Sequence, residues 1–223
     1  MIKVNSLIKS FGHPETRVLK NLSFEIPQGQ FVSIWGRSGS GKTTLLYLLS
    51  TLDKPTSGSV TLNNNNPALM NEKQLHDFRN LNIGFIFQFH YLLPELSALE
   101  NVLLPARRNN LHKDYEPRAI ELLNEVGLGE KTSRLPSQLS GGEQQRVAIA
   151  RSLIMKPKFI FADEPTGSLD TQNGQKVMEL LLKAHNEYKT TVVLVTHEKE
   201  YAQQAERRIF LVDGIIESDE TKG

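Results

Sequence analysis

Eight residues, Gly36-Arg37-Ser38-Gly39-Ser40-Gly41-Lys42-Thr43, lie between an apolar, strand-like run, FVSIW, and a helix-forming run, LLYLLS. They fit the phosphate-loop pattern G-x-x-x-x-G-K-[ST], with Thr44 following. Strand, glycine loop and helix together are the unit from which parallel sheets with helical crossovers are built. The glycines let successive backbone N–H groups curl around an anion, and the helix presents its positive end to the same point. Lys42 is placed to reach β- and γ-phosphates, and Thr43 to bind magnesium.

The rest of the chain fits such a frame. Ahead of the loop, KVNSLIKSF and VLKNLSFEI read as strands. After it come GSVTLNN, a polar turn at 63–66, and the buried-type strand IGFIF, which ends at Gln88. Helical patterns then take over: ALENVLLPARR, PRAIELLNEVG with its terminal glycine, and GGEQQRVAIARSLIMK stopped by Pro157. Strands return as FIFA, VVLVT and RIFLV, with a helix over 171–188. Alternating strands and helices predict an α/β fold around a mostly parallel sheet, with a helical insert mounted on it.

The chain has 223 residues, enough for one large domain and a proper core. Lysine and arginine number 26 against 25 acids, a net charge of +1 that argues against a protein whose main task is gripping nucleic acid phosphates. Cysteine is absent, so there is neither a disulfide framework nor thiol chemistry. No apolar run approaches the roughly 18 residues that span a bilayer. The first residues read as a strand, not as a signal peptide's apolar stretch. Any membrane work is expected to run through partners.

Three further strings carry chemistry. FIFA is followed by Asp163-Glu164, and adjacent carboxylates at the end of a core strand need a cation or a solvated site. Asp163 is the candidate magnesium ligand, and Glu164 the candidate base that polarises an attacking water. The string LSGGEQQR places Ser140 as N-cap and Glu143 as its partner in a capping box. Gly141 and Gly142, in the first helical turn, each cost roughly 1 kcal/mol relative to alanine, which suggests that something approaches the backbone closely. His197 follows VVLVT; alone it reads as a satisfied strand-end histidine. The other histidines, 13, 76, 90, 112 and 185, read as surface residues.

In this order, the phosphate loop, LSGGEQQR and Asp163-Glu164 resemble the ATP-binding cassette (ABC) ATPases over nearly the whole chain. The resemblance implies a RecA-like P-loop NTPase core at 1–88 and 157–223, an N-terminal antiparallel β-subdomain, and an inserted α-helical subdomain over about 89–156, all within one domain. Implied cofactors are ATP and Mg2+, the metal held by Thr43, Gln88 and Asp163. Implied catalytic residues are Lys42, Glu164 and His197, the last as a switch contacting the γ-phosphate. Gln88 matches a glutamine that joins core to helical subdomain. Ser140, Gly141 and Gly142 are implied to bind the nucleotide held by a second copy, giving a head-to-tail dimer around two ATP. Ser168-Leu169-Asp170 resembles the loop that crosses to the opposite subunit. Phe11 falls where an aromatic stacks on adenine, with a core role as the alternative, and Val18 is expected beside it. Trp35 is assigned to packing.

FQFHYLLP and ALENV, at 87–94 and 98–102, closely resemble the ATPase subunits of lipoprotein-releasing (Lol-type) systems, grouped with macrolide-exporter and cell-division ATPases. That resemblance implies a peripheral protein on the cytoplasmic face of the bacterial inner membrane. A permease helix would dock near residues 88–96, where Tyr91, Leu92 and Leu93 are apolar for a loop; packing within the helical subdomain is the competing reading. Alternatives are a cell-division or macrolide-exporter ATPase with another membrane partner. A soluble ABC protein of DNA repair or translation is disfavoured by the single cassette and balanced charge.

Overall fold

The structure, a computed structural model, describes residues 1–167 and 169–222. Six strands form the central sheet: β3 (Phe31–Trp35), β5 (Ile83–Ile86), β6 (Phe159–Asp163), β7 (Thr191–Thr196), β8 (Arg207–Val212) and β9 (Ile215–Thr221). Their order is β5-β6-β7-β3-β8-β9, and every pairing is parallel except β8 with β9. A second sheet, β2-β1-β4, is antiparallel and contains β1 (Ile2–Phe11), β2 (Thr16–Ile26) and β4 (Ser57–Leu62).

The central strands are buried on both sides, which is why they read as continuous apolar runs. Their two-residue period divides them between two cores. Ile160, Ala162, Val192 and Leu194 join a cluster with helical residues such as Val102, Leu122 and Val147. Phe159, Phe161, Val193 and Val195 face the other way, into a cluster with Leu45, Leu49 and the antiparallel sheet. The helices are α1 (Lys42–Leu49), α2 (Glu72–Asn82), α3 (Ala98–Arg107), α4 (His112–Glu125), α5 (Gly141–Leu153), α6 (Thr171–Tyr188) and α7 (Lys199–Ala202). α3, α4 and α5 pack against one another and share their core with one face of the sheet.

Several expectations are revised. Residues 72–82 form a helix that the apolar pattern does not announce, since none of its residues is buried. Its local signal is the capping box of Asn71 and Gln74. α4 begins at His112, five residues before Pro117. β9 extends the sheet beyond RIFLV, joined to β8 through the Asp213-Gly214 turn. His185 is not a surface residue. It is buried, its ring centroid lies 5.9 Å from that of Phe31, and its Nε2 lies 3.2 Å from Glu206 Oε1. A helix face turned to the core hid it, because the carboxylate partner comes from a distant loop. Trp35 packs on Phe210 at 4.4 Å between centroids. The polar run at 63–66 does turn, with Asn63 and Asn64 at φ 47° and 63°.

Candidate functional site

Three neighbouring strands, β6, β7 and β3, end on one edge of the sheet, and the segments that follow them make a single cleft. A cavity of about 600 Å3 is lined by Val18, Ser38, Gly39, Gly41, Lys42, Thr43, Thr44, Glu164 and His197. Ligands of open α/β sheets bind at the carboxyl ends of their strands, as this position would predict.

The phosphate loop is pressed against the rest of the chain. A Cβ on Gly36 would lie 2.2 Å from the Leu211 carbonyl oxygen, a clash with backbone that only glycine avoids. Gly214 N donates to Ser40 O at 3.0 Å, so the β8–β9 turn braces the loop from below. α1 starts at Lys42 with no side-chain cap and no acid in its first turn. Its leading amides and positive end are therefore left for an incoming anion. Lys42 Nζ donates to Gly36 O (3.0 Å) and Arg37 O (2.9 Å), folded over the loop it would leave to meet phosphates.

Thr43 Oγ1 donates to Asp163 Oδ1 at 3.1 Å. Burial pushes the Asp163 carboxyl above the usual carboxylate range, and the neighbouring charge of Glu164 adds to the rise; the Thr43 hydrogen bond and Lys42 oppose it. Hard oxygen donors around a buried carboxylate short of compensating charge fit magnesium, which keeps waters and takes phosphate oxygens. Glu164 adopts φ 45°, a left-handed conformation uncommon for a non-glycine residue, and its N–H donates to Val195 O at 2.9 Å. That turn aims the side chain at His197, whose Nδ1 lies 3.1 Å from Glu164 Oε1. A carboxylate and an imidazole facing a phosphate loop can together hold a water and take its proton.

Other predicted residues lie apart from this cleft. Phe11 is half exposed and does not line it; Lys9 Nζ sits 4.7 Å from its ring centroid. Gln88 is exposed beyond the end of β5. Ser140 caps α5 in a complete capping box. Lys131 bonds the box's Glu143, and this contact together with the Ser140 N–H holds the carboxyl below its usual range. Asp170 caps α6 by accepting from Asn173 N, and Arg146 donates to Asn173 Oδ1 at 2.7 Å, joining α5 to that cap. Ser168 lies outside the described residues. A Cβ on Gly141 would meet nothing within 4 Å among the described residues, none of which demands a glycine there.

Sequence reasoning missed Gln145 and His90. Gln145 is buried to 1% exposure and bonds groups on both sides of α5. Nothing local distinguishes it from Gln144, which bonds only the nearby Pro136 and Leu139 carbonyls.

The phosphate loop, the carboxylate pair and the histidine on one sheet edge define a P-loop nucleotide-binding site. A family model described as ABC transporter matches residues 19–167. The lipoprotein-releasing system ATP-binding protein LolD of Leptospira interrogans is 50% identical over 97% of this chain and 91% of its own length. LolD of Aquifex aeolicus is likewise 50% identical, over 92% of each. Among solved structures, the dimeric ATP-binding cassette MJ0796 bound to ADP and Pi shares 42% identity over the whole of both chains, with a TM-score of 0.91. The chain belongs to the ABC transporter family, and within it to the group of the LolD proteins.

Proposed function

We propose that this chain is the ATP-hydrolysing subunit of a transporter that releases lipoproteins from the inner membrane. The observation that carries the reading is the cleft itself, where Lys42, Thr43, Asp163, Glu164 and His197 converge from three adjacent strand ends. The loop amides of 36–41, with Lys42, bind the β- and γ-phosphates. Val18 lies along the nucleotide, and Phe11 offers adenine a π-face. Thr43, Asp163 and Gln88 would hold magnesium, which would supply positive charge to offset that of the phosphates. Glu164 takes the proton of the attacking water, and His197 orients the carboxylate and contacts the γ-phosphate.

ATP closes two copies head to tail. The open space over Gly141 supports this, since no atom of the described residues lies within 4 Å of where its Cβ would stand at the positive end of α5. MJ0796, which is solved as a dimer, supports the same assembly. Residues 89–156 act as the helical subdomain that carries Ser140, Gly141 and Gly142 to the partner's nucleotide, and Asp170 lies on the crossing loop.

No helix among the described residues is long and apolar enough to cross a membrane. Likeness to the LolD proteins supports a chain that works from the cytoplasmic face of the inner membrane by gripping a permease at residues 88–96. There, Phe89 is 69% exposed, Tyr91 63% and Leu93 45%, while Leu92 packs onto the core. The two readings of the apolar loop are compatible: Leu92 anchors it, and the exposure of its neighbours supports docking by a partner. Identities of 50% with LolD proteins support lipoprotein release as the work done.

Changing Tyr91 and Leu93 together to serine tests this reading. Both side chains are exposed, so the isolated chain should keep its ATPase rate within about twofold, surface substitutions being near neutral. Loss of the apolar anchors should lower permease-stimulated turnover at least about tenfold, as expected for interface hot spots. Turnover measured with and without the reconstituted permease checks it, and equal loss of both activities would contradict it.

A further inference from the structure

Gln145 is buried to 1% exposure, and its amide is hydrogen-bonded through both its nitrogen and its oxygen. Its Nε2 donates to Pro165 O at 2.9 Å and makes a longer contact, 3.4 Å, with Phe87 O. Two carbonyls on that side fix the amide's orientation and leave Oε1 facing His90 Nδ1, with which it is hydrogen-bonded. His90 must then donate from Nδ1, which defines its tautomer. Six residues along α5, Arg151 donates to His90 O (2.8 Å) and Tyr91 O (2.7 Å). One helix thus holds the loop at 87–91 by backbone and side chain. Through the same Gln145 amide it also holds the peptide that follows Glu164.

We propose that Gln145 is a positioning residue that couples the loop at 87–91 to the backbone carrying Glu164. The inference rests on the roles given above to Glu164 and to the docking loop. Pro165 is the next residue after Glu164, so its carbonyl reports and constrains the strained turn that aims the carboxylate at His197. A partner that grips Tyr91 and Phe89 pulls on a loop whose inner side chain, His90, is bonded to Gln145. Displacement of the loop passes through one amide group to the Pro165 peptide. A small misplacement of a catalytic group is enough to change turnover greatly, about 100-fold for 1 Å. Coupling through a packed, hydrogen-bonded contact of this kind is measured by variants that share a pathway.

The experiment is a double-variant cycle in the full chain, measured alone and with its permease in lipid. Gln145→Met keeps the length and removes all three polar contacts. KM for ATP should stay within about twofold, because the phosphate loop is untouched. Basal kcat should fall at least about tenfold, and stimulation by the permease should nearly vanish. His90→Phe should lower stimulation by itself, and adding it to Gln145→Met should cost nothing more, because both act on one contact. The inference is overturned if Gln145→Met turns over and is stimulated normally. It is also overturned if ATP affinity falls in step with kcat, the mark of a merely structural role, or if the two losses multiply. Should Gln145→Met fail to fold, unchanged stimulation in His90→Phe overturns it and reduced stimulation supports it. Glu164→Gln, run alongside, separates the two levels. Normal hydrolysis in that variant removes the functional reading and this inference together. An inactive Glu164→Gln beside an unaffected Gln145→Met removes the inference alone.

Discussion

Replacing Glu164 with glutamine is expected to abolish nearly all ATP hydrolysis while leaving ATP binding intact. The amide keeps the side chain's size and cannot take a proton from water. Loss of a general base costs roughly 100- to 10,000-fold in rate. Binding should survive because the phosphate loop, the bare start of α1 and Lys42 lie on a different segment. The fold should survive too. Glu164 is partly exposed, and its charge helps raise the Asp163 carboxyl, so neutralising it removes a like-charge repulsion. With hydrolysis blocked, the ATP-closed dimer has no route to reopen and should accumulate, since a ligand that bridges two copies stabilises their association by mass action. Turnover and sedimentation with Mg-ATP measure both effects. A variant that hydrolyses at the parent rate would remove Glu164 from the mechanism.

Asn101→Leu should be the most damaging single change to the fold around the loop at 88–97. Asn101 is completely buried on α3. Its Nδ2 donates to Leu93 O (3.1 Å), Leu96 O (2.9 Å) and Ser97 O (3.0 Å), and its Oδ1 accepts from Leu93 N at 2.8 Å. Leucine fills much the same space and strands the Leu93 N–H and the Leu96 carbonyl, while the Leu93 and Ser97 carbonyls keep their backbone donors, Leu96 N and Asn101 N. Leaving such groups unpaired costs about 1–3 kcal/mol each where the loop cannot relax, and relaxation limits the total to roughly 2–4 kcal/mol. For a chain of this size that corresponds to a fall in Tm of roughly 5–15 °C. Thermal unfolding followed by circular dichroism checks it. An unchanged Tm would show that the 93–97 loop does not depend on Asn101.

What the sequence disclosed and what it withheld differ in a physical way. The phosphate loop, the box at Ser140 and Glu143, and the carboxylates ending β6 are local: their function depends on neighbours in sequence. Central strands were legible for a related reason, as burial on both faces makes them uninterrupted apolar runs. α2 escaped because no residue of it is buried, so no apolar stripe marks it. β9 escaped because it is a polar edge strand whose only local mark is the Asp213-Gly214 turn. His185 and Gln145 were opaque for a deeper reason. Each is a polar residue on a helix whose partners, Glu206 and Pro165, arrive from 20 or more residues away. Spacing along the chain carries no trace of such pairings. The candidate site lies between these cases. Its residues were legible singly, and the convergence of β6, β7 and β3 is what brings Glu164 within reach of His197.

The central claim is that this chain turns ATP hydrolysis into work by a lipoprotein-releasing permease held at residues 88–96. The most direct test is a photo-crosslinking amino acid at position 91 in native membranes, with the captured protein identified by mass spectrometry. Tyr91 suits it, being exposed at its side chain and held at its backbone by Arg151. Capture of a permease subunit of a lipoprotein-releasing system is the predicted result. Capture of a division-site or drug-exporter permease would contradict the cargo while keeping the ATPase. Capture of soluble proteins alone would contradict the docking surface and transport with it.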